Sequence, residues 1–256
     1  MEHTDFIFDG QDSKDMGLKI IRLRGGMVES PYFSKTTTKK KQSISDYKPY
    51  FQGVSNETLS FKITVSPLDK KWTPVFKRKI GKWLSKKNYK EFQTYDDLSK
   101  YYYAICTDVG NLNTVDERGY IELTFETSSP YAYSPVHINN YNLLGNDTYT
   151  DIALENNSNI DDYFYPKIEF LLDPTETSFS IENLSDNNRL FEFTGLTGGE
   201  TVSVDNDRKI IITDIAETYR LANFNKNWLR LLYGENVLRI TGKVELQIKM
   251  QFPIVQ

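Results

Sequence analysis

The chain has 256 residues, 26% of them charged, with a formal net charge of −4. No run approaches the roughly 18 apolar residues of a membrane span, and mean hydropathy is −0.53. One cysteine, Cys106, and two histidines, His3 and His137, exclude an internal disulfide and a Cys-rich metal site, and they argue against His-dependent catalysis and His-rich metal sites.

The charge is divided unevenly. Residues 1–130 carry 21 Lys+Arg against 17 Asp+Glu, and residues 131–256 carry 10 against 18. The balances of +4 and −8 suggest two units with different neighbours. The start, Met1-Glu2-His3-Thr4-Asp5, is acidic and has no apolar stretch, so no secretory signal is expected.

Gly25–Tyr50 is a long polar connection holding Thr36-Thr37-Thr38-Lys39-Lys40-Lys41, with apolar Met27-Val28 and Pro31-Tyr32-Phe33 near its start. Such long connections in compact domains are usually functional or disordered. Leu59–Val65 then alternates apolar and polar residues, predicting a half-buried strand. A helix is predicted from Thr73 as N-cap and Pro74 at the first helical position. Phe76, Ile80, Trp83 and Leu84 form its apolar stripe, and Lys77, Arg78, Lys79, Lys82, Lys86 and Lys87 fill the rest. Tyr120–Phe125 alternates again.

Residues 128–163 are rich in Pro, Ser, Asn and Gly and read as turns, and the charge changes sign in the same region. A boundary is expected at 130–135, giving domains 1–133 and 134–256. Short strands at 164–172, 177–184, 189–194, 200–205, 208–213, 236–241 and 243–252 suggest a β-sandwich in the second half. A short helix over Trp228–Tyr233, closed by Gly234, is also predicted. The fold class expected is therefore mainly β with one clear helix, an α+β first domain and a sandwich after it.

Candidate chemistry is thin. Asp205-Asn206-Asp207 reads as a hairpin turn, since no Gly and closing Glu follow in calcium-loop register. Asp96-Asp97 and Asp161-Asp162 are adjacent, and neighbours on a strand face opposite ways, poor geometry for an acid–base pair. Lys39–Lys41 and the helix lysines read as solvated surface, so sequence-specific nucleic-acid binding is not expected. Tyr101-Tyr102-Tyr103, Tyr131 and Tyr133 fit strand packing, and Cys106 fits a small buried apolar residue. No enzyme activity, metal or cofactor is expected. A β-rich, two-part chain with a long arm fits a component of a symmetric assembly.

Several segments resemble a known family in order and spacing. Phe6-Ile7-Phe8-Asp9-Gly10 followed by Ser13-Lys14-Asp15-Met16-Gly17 resembles the opening of phage distal tail proteins. Arg78-Lys79-Ile80-Gly81-Lys82-Trp83-Leu84 resembles their central helix. Tyr102-Tyr103-Ala104 and Leu123–Tyr133 resemble the strands that follow, and Leu232–Leu238 resembles the approach to the last strands. The resemblance spans nearly the whole chain. It implies a structural hub at the tail tip of long non-contractile-tailed phages, a hexameric ring in the virion, assembled in the host cytoplasm. Implied partners are the tail tube, the tail-associated fibre or lysin protein and a receptor-binding protein.

By the same resemblance, Gly25–Tyr50 would be an arm wrapping the neighbouring subunit. Its candidate interface residues are Met27, Val28, Tyr32, Phe33, Lys39, Lys40, Lys41, Tyr50 and Phe51. The second domain would be a galectin-like sandwich, and the length fits the short form without an inserted carbohydrate-binding module. His137-Ile138-Asn139-Asn140 lacks the Arg of the galectin sugar motif. Carbohydrate binding to host cell-wall glycans is the alternative function.

Overall fold

A computed structural model describes residues 5–21, 35–40, 50–68, 71–110 and 112–255. Met27, Val28, Tyr32, Phe33 and Lys41 lie outside the described residues. Strands dominate the rest, and among the described residues there is one α-helix. The chain divides into two compact units, Met1–Ser134 with Val255–Gln256, and Pro135–Ile254.

The first unit contains β1 (Phe6–Phe8), β2 (Gln11–Asp12), β3 (Leu18–Ile20), β4 (Lys35–Lys40), β5 (Tyr50–Asn56) and β6 (Ser60–Pro67). Helix α1 (Pro74–Leu84), β7 (Lys90–Thr94), β8 (Asp97–Val109), β9 (Asn113–Val115), β10 (Arg118–Thr127) and β11 (Ala132–Tyr133) follow. Its main sheet has the order β2-β1-β7-β8-β10-β6-β3, all pairs antiparallel. Asp9 and Gly10 close β1 onto β2 with φ of 52° and 70°. Two successive left-handed residues are what a tight primed hairpin turn requires.

The alternation read in the sequence sorts side chains by face. Phe61, Ile63 and Val65 of β6 are buried and pair with Phe125, Leu123 and Ile121 of β10. Helix α1 covers this apolar side. Thr73 accepts the Phe76 N–H at 3.2 Å as N-cap, and Phe76, Ile80, Trp83 and Leu84 are buried. The Trp83 indole N–H donates to the Phe8 carbonyl at 3.0 Å, and its ring stacks on Phe6 at 5.6 Å. Phe6 stacks in turn on Phe92, and Phe125 meets Phe8 edge-on. Aromatic pairs of this kind contribute about 0.5–1.5 kcal/mol beyond area burial.

The second unit contains β12 (His137–Asn142), β13 (Tyr149–Asn156), β14 (Lys167–Leu172), β15 (Ser178–Asn183), β16 (Arg189–Thr194), β17 (Thr201–Asp205), β18 (Ile210–Thr213), β19 (Gly234–Thr241) and β20 (Val244–Met250). One sheet runs β12-β20-β14-β17-β18 and the other β13-β19-β15-β16. Both contribute to a single buried cluster. Phe170 of β14 meets Phe179 of β15 across it, ring centroids 4.2 Å apart. This is a β-sandwich.

Two expectations fail here. Residues 137–142 and 149–156 are strands, not turns. Both are edge strands of their sheets, with mostly exposed residues such as Asn140 and Asn142, so their apolar alternation is weak. Trp228–Tyr233 is extended rather than helical, with Leu229 and Leu231 buried and their neighbours less so. Buried asparagines supply its hydrogen bonds: Asn206 accepts the Leu229 N–H, Asn183 donates to the Arg230 carbonyl, and Asn236 accepts the Leu232 N–H. Side-chain partners of this kind let a backbone stay outside helix and sheet.

Candidate assembly surface

Strands β4 and β5 form a sheet of their own. The segment read as a long polar connection therefore includes one strand of a β-ribbon. Its Lys/Thr composition hides it from an apolar–polar test, although threonine favours extended backbone. The register runs from Lys35 opposite Asn56 at the base to Lys40 opposite Tyr50. A bulge lies between Thr38 and Lys39, next to Gly53 with φ +147°. Six pairs make a ribbon about 20 Å long.

Among the described residues, β4 and β5 pair with no other strand. A lone two-stranded ribbon is marginal in water, and its free edges are templates for further pairing. At the base the Asn56 amide donates to the Tyr131 hydroxyl at 2.7 Å. That tether joins positions far apart in the chain and has no signature in the sequence.

Of the predicted interface residues inside the described part, Lys39, Lys40, Tyr50 and Phe51 all fall on this ribbon. Lys39 lies opposite Phe51 and Lys40 opposite Tyr50. The predicted residues nearer the start of the segment, Met27, Val28, Tyr32 and Phe33, lie outside the described residues.

The second feature of the first unit is electrostatic. Lys77, Arg78, Lys79 and Lys82 are exposed on α1, and its first turn carries no acidic residue. Arg78 and Lys82 are four apart and Lys79 and Lys82 three apart, spacings at which like charges oppose the helix by about 0.2–0.5 kcal/mol per pair. Past the helix end, Asp9 takes up Lys86 and Lys90. The hydrogen bond from Lys86 is the main reason its carboxyl lies below the ordinary carboxylate range.

The remaining candidates stay structural. Cys106 sits in β8, and burial pushes its thiol up to about 11, so it is not a thiolate nucleophile at neutral pH. Tyr101 and Tyr102 are buried in the same strand, and Tyr103 meets the Tyr133 ring at 5.4 Å. Asp97 caps the Ser99 N–H and pairs with Lys100. Asn206 occupies the turn between β17 and β18 and donates to the Pro166 carbonyl at 2.7 Å. His137 is exposed on β12, its ring 5.5 Å from that of Phe252.

Comparison with known proteins matches both halves. A family profile described as a phage tail protein N-terminal domain matches residues 1–129, and one described as a phage tail C-terminal domain matches residues 131–250. A protein derived from the SPbeta prophage of Bacillus subtilis (strain 168), YomH, is 23% identical over 256 residues, covering 98% of each chain. Among solved structures, the Dit protein of phage SPP1 is described as a paradigm of the hub adsorption apparatus in phages infecting Gram-positive bacteria. It superposes with a TM-score of 0.69 at 14% identity, over 98% of this chain and all of that one. A chain of the phage P2 baseplate gives a TM-score of 0.50 at 11% identity, over 97% and 98%. At these identities the likeness is one of fold.

Proposed function

The chain belongs to the phage tail proteins through both of its halves, and from that premise we propose that it is the distal tail hub, a hexameric ring at the tail tip. The ring joins the tail tube to the tail-associated fibre or lysin protein and to receptor-binding proteins, and it acts without catalysis. The hub described for the SPP1 protein, whose fold this chain shares, supports the reading.

The observation that carries it is the β4–β5 ribbon. A ribbon that pairs with no other strand among the described residues gains stability by laying an edge or a face on a neighbour. In this reading Gly25–Tyr50 with β5 is the arm. Met27, Tyr32 and Phe33 anchor it, since buried aromatic side chains dominate interface energies. Lys39, Lys40 and Lys41 set register and salt dependence more than affinity. The second unit is a galectin-like sandwich on the outside of the ring, and assembly takes place in the host cytoplasm before the hub joins the virion.

The test is mass in solution. The full chain is expected as a ring of about six protomers, the closed cyclic form a head-to-tail interface gives. Deleting residues 27–48 is expected to leave smaller species, and an unchanged oligomer would sink the arm assignment.

A further inference from the structure

Between Lys70 and Lys90 the sequence places nine cations and no carboxylate. Asp9 engages two of them, Lys86 and Lys90. Lys77, Arg78, Lys79, Lys82 and Lys87 are exposed, and none has an ion-pair partner among the described residues. The repulsion within α1 is a local cost that no ion pair offsets among the described residues. Local rules are most often broken where a surface serves something else.

A complementary surface exists in the second unit. On the outer face of the five-stranded sheet, a groove of about 550 Å³ is lined by Asn140, Asn142, Glu169, Leu171, Glu245 and Gln247, among others, with no Lys or Arg in the lining. The register brings these residues together. Gln247 lies between Asn140 and Glu169, and Glu245 lies between Asn142 and Leu171. Gln247 donates to Asn140 at 2.8 Å and Ser203 donates to Glu169 at 2.8 Å. Glu169 and Glu245 are both exposed on this face. In the next row Lys167 is held by Asp205 at 2.8 Å, and Lys249 stands beside it. The groove thus offers two carboxylates and a set of amide acceptors around a strip of apolar surface, which suits the methylene stem and ammonium head of lysine.

We propose that this groove receives the α1 lysines of a second copy of the chain, Lys79 and Lys82 foremost, which are three apart and share a face of the helix. The inference rests on the oligomeric reading above and names a contact within it. Unlike faces meeting head to tail form the heterologous type of interface that builds rings. The opposite balances of the two halves, +4 and −8, provide the sign complementarity. Nucleic acid fits the helix less well. Only one of the nine cations is arginine, and Phe76 and Trp83, the helix aromatics, are buried, which leaves Tyr89, past the helix, as the one exposed ring among the charges.

The experiment uses the full chain. Equal amounts of ordinary and ¹⁵N-labelled protein are mixed, assembled and treated with a zero-length carbodiimide cross-linker. Cross-links of mixed isotope between Lys79 or Lys82 and Glu169 or Glu245 are expected. Cross-links confined to single-isotope species, or absent from these pairs in an intact oligomer, overturn the proposal. In parallel, K79E/K82E and E169K/E245K should each weaken assembly about tenfold at low salt, and the combined swap should restore it. Unchanged assembly in both charge-reversed variants overturns the contact while leaving the arm reading intact. A wild-type chain that stays monomeric overturns the ring reading itself, and the contact with it. Retention of duplex DNA by wild type but not by K79E/K82E, with assembly unaffected, assigns the face to nucleic acid instead.

Discussion

Glu200 illustrates how one carboxylate fixes a loop that carries exposed apolar residues. Its side chain is fully buried and receives Arg220 at 2.8 and 2.7 Å, along with the Thr197 N–H at 3.0 Å and the Thr213 hydroxyl. Burial pushes the carboxyl up, but the hydrogen bonds from Arg220, Thr213 and Thr197 outweigh it and hold it below its ordinary 4.5. Arg220 is anchored while its neighbours Tyr219 and Leu221 stay exposed. Glu200→Ala leaves Arg220, itself 12% exposed, without its counter-charge. Breaking such a buried pair costs about 3–5 kcal/mol, to be read as a shift of the denaturant midpoint at pH 7. A group depressed on folding stabilises above its unfolded value, and the gain fades as pH falls through the folded value. The gap between wild type and Glu200→Ala should therefore narrow as pH falls below the ordinary 4.5 of the carboxyl. A gap that is the same at pH 7 and pH 3 would mean that the ion pair is not its source.

At the scale of elements, α1 is the part most readable in the sequence, because a cap, a first-turn proline and a 3.6-residue stripe all point the same way. Its inner face also carries the clearest consequence. Trp83 donates to the Phe8 carbonyl and stacks on Phe6, so Trp83→Ala removes a buried ring together with its hydrogen bond. A loss of about 3–5 kcal/mol is expected from thermal or denaturant unfolding; a loss under 1 kcal/mol would show that the helix is not part of the core. Strands were legible where apolar and polar residues alternate, as in Leu59–Val65. They were not legible at edges, where β12 and β13 present polar residues on the exposed side, nor in the Lys/Thr strand β4. The extended Trp228–Tyr233 segment escaped because its partners, Asn183, Asn206 and Asn236, are scattered along the chain. The surface site was half visible. The lysines of α1 could be read as one face, but the groove exists only once β12, β20 and β14 are in register.

The whole molecule is two cores on one chain, and that makes the residue and element predictions separable. The aromatic cluster around Trp83 lies within residues 6–125, while the sandwich core runs from Leu154 to Phe252. Units with complete cores of their own can in principle fold alone. Residues 135–254 expressed by themselves are expected to unfold cooperatively in guanidinium, with a midpoint close to one of two transitions in the full chain. Trp83→Ala should then move only the transition absent from the fragment, and Glu200→Ala only the shared one, since changes at distant sites with no common partner act independently. Far- and near-ultraviolet circular dichroism of the full chain, the fragment and the two variants reads this directly. A fragment without a cooperative transition, or a single transition moved equally by both substitutions, would show that the halves stabilise each other. In that case the opposite charges of the two halves could not be assigned to contacts between copies alone.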